Sequence, residues 1–285
     1  MKLGVAGFIP PWDQIDLAAA RRVRAAGFCG ASIFFQRPLE ADLERVRALK
    51  AILDEAGLEA AQVNGWYEVL VHPDDAMRAE GVRGVEALCR VGRLLDAGSI
   101  YVRPGSLNPR GAWYPHPENH APQTFDRLAD SLRRCARCAQ AEGVTLAIEG
   151  HVLSPLDSAQ RMRDILDLVA SPVLKVNLDP VNFIGTVMDA HHPQGILNQL
   201  FHLLGRDIAA AHLKDLALED RLVVHIEEVI PGEGTLDYGL FLRRMQELCP
   251  QGYGLIEHLP DEKVLQARDA VARLAAQAGV ELKMG

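Results

Sequence analysis

Short apolar runs alternate with longer amphipathic stretches along almost the whole chain. The apolar runs read as strands at 3–8, 31–35, 60–64, 99–103, 145–149, 175–178, 208–212 and 253–257. Apolar residues recur at helical spacing over 14–26, 39–56, 74–96, 122–142, 158–170, 192–204, 239–248 and 261–279. Gly27, Gly57, Gly98 and Gly143 each follow a helical run, where a left-handed cap is expected. The strands are continuously apolar rather than alternating, as expected when both faces of a sheet are covered. Strand-helix alternation predicts a parallel sheet, and eight such units predict an α/β fold closed into a (β/α)8 TIM barrel. That barrel is expected to be a single domain spanning 1–285. An open doubly wound sheet would carry a glycine-rich loop after its first strand. Here Gly4-Val-Ala-Gly7 falls inside the expected strand and lacks the third glycine.

Two segments break the rhythm. Residues 106–121 are rich in proline, aromatics and histidine. Residues 217–238 read as an inserted β-hairpin around 222–229, ending in Pro231-Gly-Glu-Gly234. Both follow strands, so both belong at the mouth of the barrel, where chemistry occurs in this fold. The glycine turn is open to two readings, a phosphate cradle or a bare turn.

Composition narrows the function. Hydrophobic residues are 48% and charged residues 24%, values of an ordinary packed domain. The formal charge of −8 repels phosphate backbones, so no nucleic-acid partner is expected. No apolar run approaches a membrane span, and residues 1–9 are too short for a secretory signal, so no membrane association is expected. Five cysteines, odd in number and mostly isolated, fit a reducing, cytoplasmic setting rather than a disulfide framework. Cys135 and Cys138 form a C-x-x-C inside a helical run and read as small helix residues.

Four neighbouring strands end in groups that are costly to bury alone: Glu149, Asp179, His212 and Glu257. They are separated by 30, 33 and 45 residues, roughly one strand-helix unit each, the last lengthened by the 217–238 insertion. Side by side, three carboxylates repel one another unless a cation sits among them. The set is hard and mostly oxygen, which suits one divalent ion, Mn²⁺ ahead of Mg²⁺, Co²⁺ or Zn²⁺. Around that rim, Arg103 calls for an anionic partner. Asn64, Trp66 and Trp113 are candidates to contact a bound ring. Lys214 and Asp215 either hold a substrate or pair with one another. His258, next to the last ligand, is a candidate to support it.

The stretches LAIEGH (146–151), KVNLDPVNF (175–183), AAHLKD (210–215), IPGEGTLDY (230–238) and LIEH (255–258) resemble the xylose isomerase-like sugar phosphate isomerase/epimerase superfamily of TIM barrels. The resemblance implies a metal-dependent sugar or sugar phosphate isomerase or epimerase. Proton transfer would pass through a metal-stabilised enediolate, with Glu149 and Glu257 as the catalytic pair, and the chain would assemble as a homodimer or homotetramer. Two positions depart from the family pattern. Asn182 stands where many members have histidine, and His151 lies where a second acid is common. Both are candidate substrate contacts. A keto-sugar or keto-cyclitol dehydratase uses the same chemistry. The superfamily also contains endonucleases that cut at abasic sites in DNA, which need further histidines on the first four strands. Those strands end here in Phe8, Phe35, Asn64 and Arg103. A non-catalytic sugar-binding barrel is the third alternative.

Overall fold

The computed structural model describes residues Met1–Gly285. In chain order it begins β1 (Lys2–Val5), α1 (Leu17–Ala25), β2 (Gly30–Phe35), α2 (Leu43–Ala56), β3 (Glu59–Gly65) and α3 (Asp75–Leu95). It continues through β4 (Ile100–Val102), α4 (Pro122–Glu142), β5 (Leu146–Ile148), α5 (Ala159–Val169) and β6 (Leu174–Leu178). Then come α6 (Val187–His191), α7 (Gln194–Leu204), β7 (Ile208–His212), β8 (Asp215–Leu218) and β9 (Ile226–Val229). The chain finishes with α8 (Tyr238–Leu248), β10 (Tyr253–Ile256) and α9 (Asp261–Ala278).

Eight parallel strands close into a barrel in the order β1-β10-β7-β6-β5-β4-β3-β2. Closure joins the first strand to the last, from Lys2 opposite Tyr253 to Val5 opposite Ile256. This is the (β/α)8 barrel expected from the alternating pattern. One core of 66 buried residues runs through the barrel and its helical ring, so no boundary divides it. Helix α3 shows the logic: Val82, Val85, Leu88, Val91 and Leu95 recur at helical spacing and are all buried. Each such side chain contributes roughly 1.5–3 kcal/mol by leaving water.

The expected strands at 3–8, 99–103 and 145–149 are shorter at the mouth, where the chain leaves the ladder. Arg103 and Glu149 therefore lie just past β4 and β5 rather than within them. The helix expected over 192–204 begins at Gln194. Pro193 disfavours helical backbone in the residue before it, and His192 is non-helical, so the turn α6 is a separate piece. Gly57 and Gly143 adopt the left-handed cap expected of them. Gly98 does not, because Asp96 takes that role at the end of α3. Gly98 is needed for a different reason: a Cβ there would lie 2.7 Å from the Ala61 carbonyl oxygen. Cys135 and Cys138 lie in α4, and all five thiols are free.

The hairpin pairs β8 with β9 from Asp215 opposite Val229 to Leu218 opposite Ile226. Leu222, Val223 and Val224, read from the sequence as strand, form its exposed tip instead. Strand propensity misled there because the register is set elsewhere. The buried Asp215 carboxylate accepts backbone N–H bonds from Leu216, Gly232, Gly234 and Leu236, at 2.8–3.1 Å. The glycine turn thus surrounds an anion that belongs to the chain itself, which answers the choice between phosphate cradle and bare turn.

Candidate metal centre

Glu149 follows β5, Asp179 follows β6, His212 ends β7 and Glu257 follows β10. Strand order therefore sets Glu257 one strand to one side of His212, and Asp179 and Glu149 one and two strands to the other. Apolar strand residues carry these polar groups to the inner end of the mouth. The ligand atoms of all four lie within 4.8 Å of one another, the first three side chains are buried and the fourth nearly so. His212 Nδ1 is 2.8 Å from Glu149 Oε1 and 2.8 Å from Glu257 Oε1. Sequence reasoning had assembled the same four residues.

Lys214 joins them unexpectedly. Its Nζ lies 2.7 Å from Asp179 Oδ2 and 2.7 Å from Glu257 Oε1, and the side chain is buried. It does not pair with Asp215, whose carboxylate turns away to the 232–236 turn. Of the two readings open for Lys214 and Asp215, the mutual pair is therefore not found. Successive residues of extended chain face opposite sides, which separates the two.

Burial raises the Asp179 carboxyl to about 6, with Glu149 and Glu257 adding to it and Lys214 and His212 opposing. Burial acts to lower His212, but Glu257 and Glu149 outweigh it and lift the imidazole to about 10. Burial acts to raise Glu257, yet His212 and Lys214 hold it well below the usual carboxylate range. With His212 and Lys214 protonated, three carboxylates face two cations and the cluster keeps one negative charge. A dication with neutral His212 would bring it to zero.

The donor set passes a second test for a cation. Asp179 Oδ2 and both ring nitrogens of His212 are buried without an aligned hydrogen-bond partner, despite their close neighbours. In a structure at rest such atoms ordinarily have partners. Glu149, Asp179, Glu257 and the Nδ1 of His212 fit one divalent ion. The other group of acid and histidine side chains, Glu219, His225 and Glu227, is fully exposed.

Sequence reasoning missed three residues that hold Glu149. Tyr101 Oη donates to Glu149 Oε2 at 2.6 Å, and Asn177 Nδ2 donates to Oε1 at 2.9 Å. Gln62 Nε2 in turn donates to Asn177 Oδ1 at 3.1 Å. The available signal was a polar side chain inside each of three apolar strands. Of the candidate substrate contacts, His151 is held by a Leu153 N–H on its Nδ1, and burial lowers its pKa to about 4. The Trp113 ring lies 5.7 Å from that of His151. Trp66 is edge-on to Phe34 and beneath Arg103. Asn182 is buried in the turn after β6, and its carbonyl accepts from Val152. Asn64 spends its side-chain oxygen on the N–H of Gly65. His258 sits in left-handed backbone, with Nδ1 3.1 Å from Glu228 Oε2 and Nε2 3.7 Å from Glu257 Oε1.

The model of the xylose isomerase-like TIM barrel family matches residues 20–278. The chain belongs to that family. Solved structures of similar shape include a 3-keto-D-glucoside 4-epimerase from E. coli, 20% identical, covering 97% of this chain and 99% of its own, TM-score 0.71. A xylose isomerase-like TIM barrel protein from Mycobacterium smegmatis, in complex with magnesium, is 15% identical over 97% of each chain, TM-score 0.74. A D-psicose 3-epimerase from Clostridium cellulolyticum H10, solved with D-tagatose, is 17% identical over 98% of this chain and 99% of its own, TM-score 0.67. At these identities the likeness is one of fold. No curated protein matches the chain by sequence. No helix of this xylose isomerase-like barrel is long and apolar enough to cross a membrane.

Proposed function

We propose that the chain is a divalent-metal-dependent isomerase or epimerase of a sugar or sugar phosphate. The observation that carries this reading is the approach of Glu149 and Glu257, from strands on opposite sides of β7, to one buried imidazole nitrogen. Two carboxylates reaching one point from two directions can take a proton from a carbon and return one to the other face or to a neighbouring carbon. The first outcome is an epimer, the second an aldose-ketose isomer. A divalent ion held by Glu149, Asp179, His212 and Glu257, Mn²⁺ by preference and Mg²⁺ as the alternative, supplies Lewis-acid polarisation of the sugar carbonyl when bound.

The chain's own groups do the rest. Tyr101 and Asn177 each occupy one oxygen of Glu149, fixing the plane of the base. Burial opposes ionisation of Glu149; without metal the protonated His212 outweighs it, and a bound dication would supply that positive charge instead, so the carboxylate stands ready as an acceptor. Lys214 beside Glu257 places a positive charge where a substrate oxygen gains negative charge. His151, neutral, presents an Nε2–H donor toward a hydroxyl, and Asn182 offers an amide beside it. The family membership and the keto-sugar epimerases of the same fold support a sugar as substrate.

The test is deuterium incorporation. The Mn²⁺-loaded protein is incubated in D₂O with a panel of ketoses and aldoses, and NMR identifies which C–H washes out. Glu149→Gln should abolish exchange while circular dichroism shows the fold retained. Undiminished exchange in that variant overturns the role of Glu149. No exchange into any sugar by the wild type overturns the enzymatic reading and favours a sugar-binding barrel.

A further inference from the structure

Arg103 follows β4 two residues after Tyr101. Side chains two apart in extended chain share a face, so Arg103 lies on the face of Tyr101, roughly 6–7 Å nearer the mouth. Tyr101 reaches Glu149, and the next step of the same ladder is the Glu149 N–H donating to the Val102 carbonyl. Arg103 thus stands one strand away from the proposed base.

The arginine is only 5% exposed and pairs with no carboxylate. Its guanidinium packs against the rings of Trp66, at 4.9 Å, and Tyr67, at 4.3 Å. Its one side-chain hydrogen bond is a long one, 3.4 Å, to the Tyr67 carbonyl. Five donors and a full charge therefore meet almost no polar partner in the protein. They line a cleft of about 570 Å³ between the segments after β3 and β4. His72 and His116 line it as well. Each accepts a backbone N–H on Nδ1, from Asp74 and Glu118 respectively, which leaves Nε2 as the ring nitrogen free to donate. Glu68 and Glu118 also border the cleft, but both are exposed and neither pairs with Arg103.

We infer that this cleft is an anion subsite in which Arg103 receives a carboxylate or phosphate group of the substrate, remote from the carbons that exchange protons. Calling the occupant a substrate group rests on the proposed function; the anion site itself does not. Stacking on two rings fixes the plane of the guanidinium, and a fixed fork suits two parallel bonds to one anionic group. The inference narrows the substrate to an acidic sugar, such as a sugar phosphate or a sugar acid.

Two measurements test it. In the first, Mg²⁺-loaded, ¹⁵N-labelled protein is titrated separately with inorganic phosphate and with acetate, following the Arg103 Nε–H resonance assigned by its loss in Arg103→Lys. A saturable shift with phosphate, acetate or both supports the site and distinguishes the two anions. No shift with either overturns it, whether or not any sugar turns over. In the second, exchange into D-fructose, D-fructose 6-phosphate and D-fructuronate is compared. Arg103→Met should lower the preference in kcat/KM for an anionic over the neutral sugar by about 10–100-fold, the loss of one charge-assisted contact, and Arg103→Lys should restore part of it. An equal fall for neutral and anionic sugars would mean that Arg103 only packs the mouth.

Discussion

Replacing Asp179 by asparagine should act in opposite directions with and without metal. Without a cation, the wild-type cluster holds three buried carboxylates against Lys214 and His212. Asp179 is the one that burial leaves closest to neutral. Removing its charge balances the cluster, and Lys214 keeps Glu257 at 2.7 Å. The metal-free variant should therefore be equal to the wild type or up to about 2 kcal/mol more stable, since it removes the cluster's excess buried negative charge while Lys214 keeps a carboxylate partner. With a cation the order reverses. At a free Mn²⁺ concentration of 100 times the wild-type Kd, linkage adds about 2.7 kcal/mol to the wild type. For 285 residues the unfolding entropy is about 0.6 kcal/mol/K, so the wild-type Tm should rise by about 4–5 °C. If losing one ligand weakens binding about 100-fold, the same Mn²⁺ gives the variant only about 0.4 kcal/mol, under 1 °C. The assay is calorimetry on chelator-treated protein, with and without Mn²⁺ or Mg²⁺. A wild type indifferent to both ions, together with a variant that loses several kcal/mol without metal, would show the cluster to be a structural ion-pair network and refute the metal site.

Three further outcomes are expected. Tyr101→Phe removes the 2.6 Å bond to Glu149 Oε2 and should slow proton exchange about 10–100-fold at unchanged secondary structure, read by NMR and circular dichroism. Asp215→Ala strips the acceptor from four backbone N–H groups and should cost about 3 kcal/mol or more in urea unfolding, with faster hydrogen exchange over 230–236. Asp207 carries the acid dependence on the closed end of the barrel: burial acts to raise its carboxyl, but Lys175 and Arg163 hold it below the usual value. Its contribution is present above its unfolded pKa of about 3.9 and lost as pH falls through the lower folded value, so Asp207→Asn should cost about 1 kcal/mol at neutral pH and progressively less as the pH is taken below about 3.9.

The barrel was legible because a parallel sheet covered on both faces leaves unbroken apolar runs, and because ligands must stand at strand ends. Glu149, Asp179, His212 and Glu257 each stop such a run. What was not legible depends on which way a side chain turns. Lys214 and Asp215 are neighbours in sequence, yet one enters the carboxylate cluster and the other locks a turn. The tip residues Leu222, Val223 and Val224 have strand chemistry but no partner strand, and exposure is not written in their type. The significance of Arg103 depended on an absence: no acid pairs with it, which only the folded arrangement reveals.

The joining of β1 to β10 has a bearing on how the protein is made. Glu257, the last ligand in chain order, emerges only after β10, and β10 closes the ring by pairing with β7 on one side and β1 on the other. A nascent chain cannot assemble the whole ligand set until β10 has been made, so full assembly of the ligands and closure of the ring coincide. A chain cut before 253 would keep three ligands on an open edge, and its weak hold on the ion would mark it as unfinished.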